Sequence, residues 1–296
     1  MDPELAPGRA DRLEGSCGLR RPDWIRVAPE QGGIPRIEAF FTGHAYDPHR
    51  HDCYALGLTL SGVQRFDYRG AEQNSLAGNL IVIHPDEVHN GRAGAASGFR
   101  YRMAYLPPHR LRAALDGRAG SLPFLRRAVL DDGRLRAALV PLLADLDRGL
   151  EPLEADQAVA DIAEALLAGD PSARRRREPA GAAAAIERAR AYLDEAHREG
   201  VRAEELEALT GLDRFTLARQ FRRRFGTSPY RYLTLRRLDE ARALIRAGVG
   251  LAEAAAAAGF SDQSHMTRLF VRAHGLSPGR WRRMLATAER FGAAGR

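Results

Sequence analysis

The chain of 296 residues contains no lysine and only two cysteines, Cys17 and Cys53. Two cysteines are too few for a disulfide framework, and neither stands in a paired C-x-x-C zinc spacing. Without lysine there can be no G-x-x-x-x-G-K-[ST] phosphate loop, and G-x-S-x-G and H-E-x-x-H are also missing, which removes the common nucleotide, hydrolase and zinc-protease signatures. No apolar run approaches the ~18 residues of a membrane span. The first residues, with Asp2, Glu4 and Arg9, lack the apolar core of a secretory signal, so the expectation is a cytoplasmic protein with no membrane partner. What is present is globular usage, 45% apolar and 28% charged, in a length that suits one large or two ordinary domains.

All 45 basic residues are arginine, and they are unevenly spread. Residues 1–181 hold 24 Arg against 25 acids, a net of −1, whereas residues 182–296 hold 21 against 13, a net of +8. Between Gly211 and Arg246 ten Arg face three acids. A neutral front joined to a basic rear points to a polyanion at the rear only, although a solvated charged face would give the same count.

Periodicity divides the chain in the same place. A short strand is expected at Trp24 to Val27, then β-type runs at Ile37 to Thr42, Tyr54 to Leu60, Gln64 to Tyr68, Asn79 to Ile83 and Phe99 to Leu106. Gly62, Gly70, Gly78, Pro85-Asp86 and Gly91 punctuate them in the manner of a small antiparallel sandwich or barrel. Apolar residues then recur at three and four, predicting helices over Arg110 to Leu115, Phe124 to Leu130, Arg134 to Leu146 and Leu153 to Leu167. Residues 169–181, with two Pro and four consecutive Arg, read as a linker. Helices are expected beyond it at Ala183 to Glu199, Ala203 to Thr210, Arg214 to Phe225, Tyr230 to Ala247, Leu251 to Ala258, Gln263 to His274 and Pro278 to about Thr287. The fold class expected is therefore α+β in two domains. An arm (1–33) leads to a β-rich domain (34–168) with a helical part (about 110–168); the linker (169–181), an all-α domain (182–287) and a tail (288–296) follow.

The helical part contains an internal repeat. Arg219-x-Phe221-x4-Gly226-x-Ser228-Pro229 recurs 49 residues later as Arg268-x-Phe270-x4-Gly275-x-Ser277-Pro278. Each copy has a short helix, a turn at Gly211 or Gly259, and a second helix opened by Asp213, or by Ser261 or Asp262. This is helix-turn-helix grammar, with Leu217/Phe221 and Met266/Phe270 on the buried face. The free faces would carry Phe215, Thr216, Ala218, Arg219 and Arg222, and Gln263, Ser264, His265, Thr267 and Arg268. Arg suits guanine O6 and N7, Gln suits adenine, and Phe or the Thr methyl suits a thymine methyl. Arg222 and Ser264 are equally suited to holding phosphates. The helix between the copies, 18 residues or roughly 27 Å, could set two reading helices about one DNA turn apart.

The run Gly259-Phe-Ser-Asp-Gln-Ser-His-Met-Thr-Arg-Leu-Phe270, with Gly275-Leu-Ser-Pro278 and Trp281-Arg282, resembles the signature of AraC/XylS-family bacterial transcription regulators, over roughly Ala183 to Leu285. The resemblance implies that the second helix of each motif reads successive major-groove segments of double-stranded DNA. The Ala-rich stretch 254–258 departs from the usual pattern yet should remain helical.

In the front part, His49-Arg-His51, Gly62, Gly78-Asn79 and Pro85-x-Glu87-x-His89 resemble the cupin-like effector domains that precede the DNA-binding region in many members of that family. His44 and His109 extend the histidine group. Metal-binding cupins add a carboxylate or Gln shortly after the second His, where this chain has Ala55 and Leu56; Glu87 or Cys53 would have to substitute. The expectation is a small-molecule pocket using His49, His51, Tyr54 and His89, with no metal, no cofactor and no catalytic residue. A metal-dependent cupin enzyme carrying a DNA-binding module, and histidines that merely cap loops, are the alternatives. Asp86-Glu87 and Asp131-Asp132 read as solvated turns. The Leu-rich helices at 134–167 would mediate a homodimer or pack on their own barrel. The overall expectation is an effector-responsive, sequence-specific regulator that would also meet RNA polymerase if it is an activator.

Overall fold

The computed structural model describes residues 22–115, 118–170, 172–173 and 180–293. Most of the expected arm and linker, including Cys17, lies outside them.

Among the described residues the front part has nine strands: β1 (Trp24–Val27), β2 (Arg36–Phe41), β3 (His44–His49), β4 (Tyr54–Tyr68), β5 (Ala71–Leu76), β6 (Leu80–Ile83), β7 (His89–Ala93), β8 (Phe99–Leu106) and β9 (Val129–Leu130). All their pairings are antiparallel, with neighbours running β1-β2-β8-β4-β6-β9, while β5 and β7 join the far half of β4 and β3 pairs with β7. The two strands expected at Tyr54 to Leu60 and Gln64 to Tyr68 are one 15-residue strand that serves both layers. It crosses between them at Gly62, whose φ of +70° places it in the left-handed region open to glycine; a Cβ there would lie 2.0 Å from the Gly98 carbonyl oxygen. The period-two pattern then sorts the side chains. Tyr54 and Leu56, Leu80 and Val82, and Ala104 and Leu106 face one way, while Ala55, Ile81, Ile83, Tyr101 and Met103 face the sandwich interior.

Three helices cover the first of these faces: α1 (Pro108–Leu115), α2 (Gly133–Ala144) and α3 (Pro152–Gly169). The Leu-rich stripe, Leu135, Leu139, Leu142, Leu143, Leu166 and Leu167, is buried on the chain's own sheet. The helix expected at Phe124 to Leu130 does not form. Pro123 precedes it, the Phe124 N–H donates to Asp170 and the Leu125 N–H to His84, so these amides are satisfied without helical bonds, and the segment ends in β9. Buried charges in this layer are paired. Arg36 donates to the carbonyls of Leu142, Asp145 and Arg148 below α2, and Glu38 meets Arg26, Arg100 and Arg102.

The rear part comprises α4 (Ala180–Glu195), α5 (Ala203–Thr210), α6 (Arg214–Phe225), α7 (Pro229–Arg246), α8 (Leu251–Ala257), α9 (Gln263–His274) and α10 (Pro278–Ala293). Both copies of the repeat form helix-turn-helix units. Asp213 accepts from the amides of Phe215 and Thr216, and Asp262 from that of His265, so the aspartate is the cap in each copy. Gly226 and Gly275, matched in the repeat, both close their helices at positive φ. Leu217, Phe221 and Phe225 of α6 pack on α4, α5 and α7. Met266, Phe270 and Ala273 of α9 belong instead to a core continuous with the interior of the sandwich. Among the described residues no helix is long and apolar enough to cross a membrane.

Candidate functional site

A cavity of about 160 Å3 lies where the sandwich interior meets the second helix-turn-helix unit. Its floor is aliphatic and aromatic, from Ile37, Ala55, Phe66, Ile81, Tyr101 and Met103. One rim is formed by His49, His51 and His89, and the roof by Leu235, Arg236, Asp239 and Arg242 of α7, His274 of α9, Leu276, and Trp281 of α10.

The three rim histidines form one cluster, with ring centroids 4.2 Å (49 to 89), 4.9 Å (51 to 89) and 6.2 Å (49 to 51) apart. Each ring is tied by Nδ1 to a backbone carbonyl: His49 to Asp47 at 2.8 Å, His51 to Cys53 at 2.8 Å and His89 to Glu87 at 3.1 Å. A carbonyl only accepts, so Nδ1 carries the proton and Nε2 of the neutral ring is left as an acceptor. Burial lowers all three pKa values, His51 to about 3, His89 to about 4 and His49 well below its ordinary value. The rings are therefore neutral near pH 7.

The other members of the expected pocket lie elsewhere. Tyr54 stands on the opposite face of β4, where its hydroxyl donates to the Pro123 carbonyl and its ring meets His84. This corrects its placement in the expected pocket: β4 turns Ala55 toward the cavity and Tyr54, one residue before it, to the other face. His44 is exposed and pairs with Asp47, and His109 sits on α1 away from the cavity. Cys53 lines the cavity, but Glu87 faces Arg69. Among the described residues no three His, Cys, Asp or Glu side chains are arranged to hold a metal ion.

Contacts that join front and rear surround the cavity. Arg236 bonds Asp52 at 3.0 Å and Asp239 at 3.2 Å, and Arg231 reaches Asp86 at 3.1 Å. Arg280 donates to the carbonyls of His44 and Ala45 and to Asp23. The two repeat glycines dock as well. The Asp47 N–H donates to the Gly275 carbonyl, and a Cβ on Gly275 would lie 2.6 Å from both the Asp47 oxygen and His49 Nδ1. A Cβ on Gly226 would lie 2.7 Å from Pro85. Asp86, expected to be a solvated turn residue, is thus an anchor, held at φ +64° with its side chain 18% exposed. Gln64, Asp52, Tyr105, Arg236 and His274 were not singled out by the sequence. Their only signal was alternation along β4 and β8 and heptad-like spacing on α7, which marks a face but not a partner.

On the outer side, Phe215 is 75% exposed, and Arg219, Arg222, Gln263, Ser264 and Arg268 are exposed. Thr216, Ala218, His265 and Thr267 are half-buried. Arg219 donates to the Thr216 hydroxyl, and His265 is held back by Ser261 and lies edge-on to Phe260. Arg222 lies 4.0 Å from Asp86.

The AraC-like ligand binding domain family matches residues 31–167 and a helix-turn-helix domain family matches 206–284. Over these two stretches the chain is similar to AraC-type transcriptional regulators, a ligand-binding-like part followed by a helix-turn-helix part. It is 27% identical over 235 residues to the uncharacterised HTH-type transcriptional regulator YbfI of Bacillus subtilis, spanning 78% of this chain and 86% of that protein. Its fold is similar to that of ToxT from Vibrio cholerae, with a TM-score of 0.60 at 11% identity over 88% of this chain and 99% of ToxT. A second ToxT structure, with an unsaturated fatty acid bound, gives a TM-score of 0.58 at 11% identity over 88% and 96% of the two chains. With an AraC-like ligand-binding part and a helix-turn-helix part both in place, the protein is a DNA-binding transcriptional regulator whose front part senses an effector.

Proposed function

We propose that α6 and α9 read two successive major-groove segments of an operator, and that the cavity takes the small-molecule effector. The observation that carries this reading is the shared wall of the cavity. Its rim belongs to the sandwich and its roof to α7, α9 and α10, so a bound molecule touches both parts. A ligand can shift DNA affinity only through different affinity for two arrangements of those parts, and a shared wall supplies that difference.

Base contacts are assigned to Phe215, Thr216, Ala218 and Arg219 of α6 and to Gln263, His265, Thr267 and Arg268 of α9, with Arg222 and Ser264 on phosphates. The effector site is assigned to His49, His51 and His89. ToxT has been solved with a fatty acid, and the aliphatic and aromatic floor here likewise suits an apolar body. The regulator family points away from an enzyme, and no catalytic residue or cofactor is assigned. With the Leu stripe spent on the sheet, a homodimer would use the outer faces of α2 and α3, where Val140 and Leu153 stay exposed. An activator would add RNA polymerase as a partner. A cytoplasmic location is the one that suits a DNA-binding regulator.

Footprinting of the full chain on its own promoter region should show two protected major-groove segments on one face of the duplex. Arg219→Ala and Arg268→Ala are each expected to cost ~1–3 kcal/mol and to relax one base position. A loss uniform over all sequences would reassign both to phosphates.

A further inference from the structure

The reading of the cavity as the effector site leaves the chemistry of the effector open, and the lining constrains it. Charge comes first. The charged side chains on the wall are Asp52, Arg236, Asp239 and Arg242, two of each sign. Arg236 is shared between Asp52 and Asp239, and Arg242 lies 3.7 Å from Asp239 with its guanidinium over the Trp281 ring. Asp52 is only 7% exposed. An anion in the cavity would have to draw Arg236 from a buried carboxylate, and a cation would leave a guanidinium unmatched; either strands a buried charge. The cavity therefore favours a neutral molecule.

Hydrogen-bonding capacity comes second. Each rim histidine has its proton committed to a carbonyl and turns a lone pair away from it. His51 Nε2 is buried with no partner, as is Gln64 Oε1 in the second layer of the sandwich. Both residues line the cavity at 7% exposure. A carboxamide can turn over, but the three imidazoles cannot, because their carbonyl bonds fix the tautomer. Unmet buried acceptors call for a donor.

We propose, resting on the assignment of this cavity as the effector site, that the effector is a neutral molecule with a one- or two-ring aromatic or alicyclic body and a hydroxyl, phenol type, that donates to the histidine cluster through His51 Nε2. The size follows from the volume, which is below the ~300 Å3 at which drug-sized pockets begin. The body packs on Phe66, Tyr101 and Met103, and Trp281 closes over it from the rear part.

The test is isothermal titration of the full chain at neutral pH with three probes of one shape: 2-naphthol, 2-naphthoate and 2-methoxynaphthalene. The expected result is that 2-naphthol binds at least about tenfold more tightly than either, since a lone pair left unmet costs ~1.4 kcal/mol or more at that ratio. His51→Phe should abolish the preference while sparing any binding of 2-methoxynaphthalene. Should that variant fail to melt cooperatively, His51→Leu serves instead. Equal or tighter binding of 2-naphthoate or 2-methoxynaphthalene overturns the donor assignment and leaves the cavity as an effector site. Silence from all three overturns the inference, and if filling the cavity by Ala55→Phe then leaves DNA binding and its cellular response unchanged, the site assignment fails too. Stoichiometric binding of Zn2+ alone, lost in His51→Phe, overturns it in favour of a metal.

Discussion

At the scale of single residues, the histidines decide most. His49, His51, His84 and His89 are held neutral by burial, yet each is hydrogen-bonded. The Leu125 N–H donates to His84 Nε2, which leaves His84 Nδ1–H to donate to the Tyr68 hydroxyl at 2.9 Å. Their folded pKa values, about 3 for His51 and about 4 for His84 and His89, lie below the ordinary 6.5. Above 6.5 neither the folded nor the unfolded chain protonates them, and the fold keeps its full stability. Between 6.5 and about 4 the unfolded chain binds protons that the folded chain refuses, so stability falls with pH across that window. Urea unfolding at a series of pH values should show this decline, and His51→Phe should make it shallower. A midpoint constant from pH 7 to pH 5 would contradict the burial of these rings.

At the scale of elements, two helix-closing glycines of the rear part serve as each other's control. Gly211 and Gly275 both sit near φ +70°, but a Cβ on Gly211 meets nothing within 4 Å, whereas on Gly275 it runs into β3. Gly211→Ala should cost only the backbone strain, ~1 kcal/mol, while Gly275→Ala should cost clearly more and loosen the contact between α9 and the sandwich. Denaturant melts of the two variants side by side make the comparison. Periodicity made the rear helices legible: α5, α6 and α9 run as expected to the residue, because C-terminal glycines and apolar spacing agree, with capping aspartates at α6 and α9. β3 and β7 were not legible. His44-Ala-Tyr-Asp-Pro-His49 and His89-Asn-Gly-Arg-Ala93 are polar and proline- or glycine-bearing, and they become strands only by pairing with each other and with β4. The false helix at Phe124 to Leu130 arose because its five apolar residues happened to match a helical period, whereas Val129 and Leu130 pair with β6 instead.

At the scale of the whole molecule, front and rear are joined by acids from the neutral half meeting arginines from the basic half. Glu30 with Arg246, Asp52 with Arg236 and Asp86 with Arg231 divert cations that the sequence counts toward DNA. Asp86→Ala should release Arg231 from its carboxylate partner and remove the acid beside the exposed Arg222. The plot of log affinity against log salt for nonspecific duplex should then steepen by roughly one unit for each arginine that takes up a phosphate. An unchanged slope would mean that these arginines serve only the joint. The cavity histidines and the helices α6 and α9 could be named from sequence, but Arg236 could not be matched with Asp52, 184 residues away, because nothing local marks long-range partners.

The two docked glycines bear on geometry more than on energy. Helix α6 ends against Pro85 and α9 against His49, two fixed marks on a single sandwich. In this arrangement the angle between the helices is a dimension of the sheets as much as of α7. If, as proposed, both helices read one duplex, the sandwich acts as a gauge for its twist: an operator whose two segments are out of phase with that gauge could be met only by letting go of one mark.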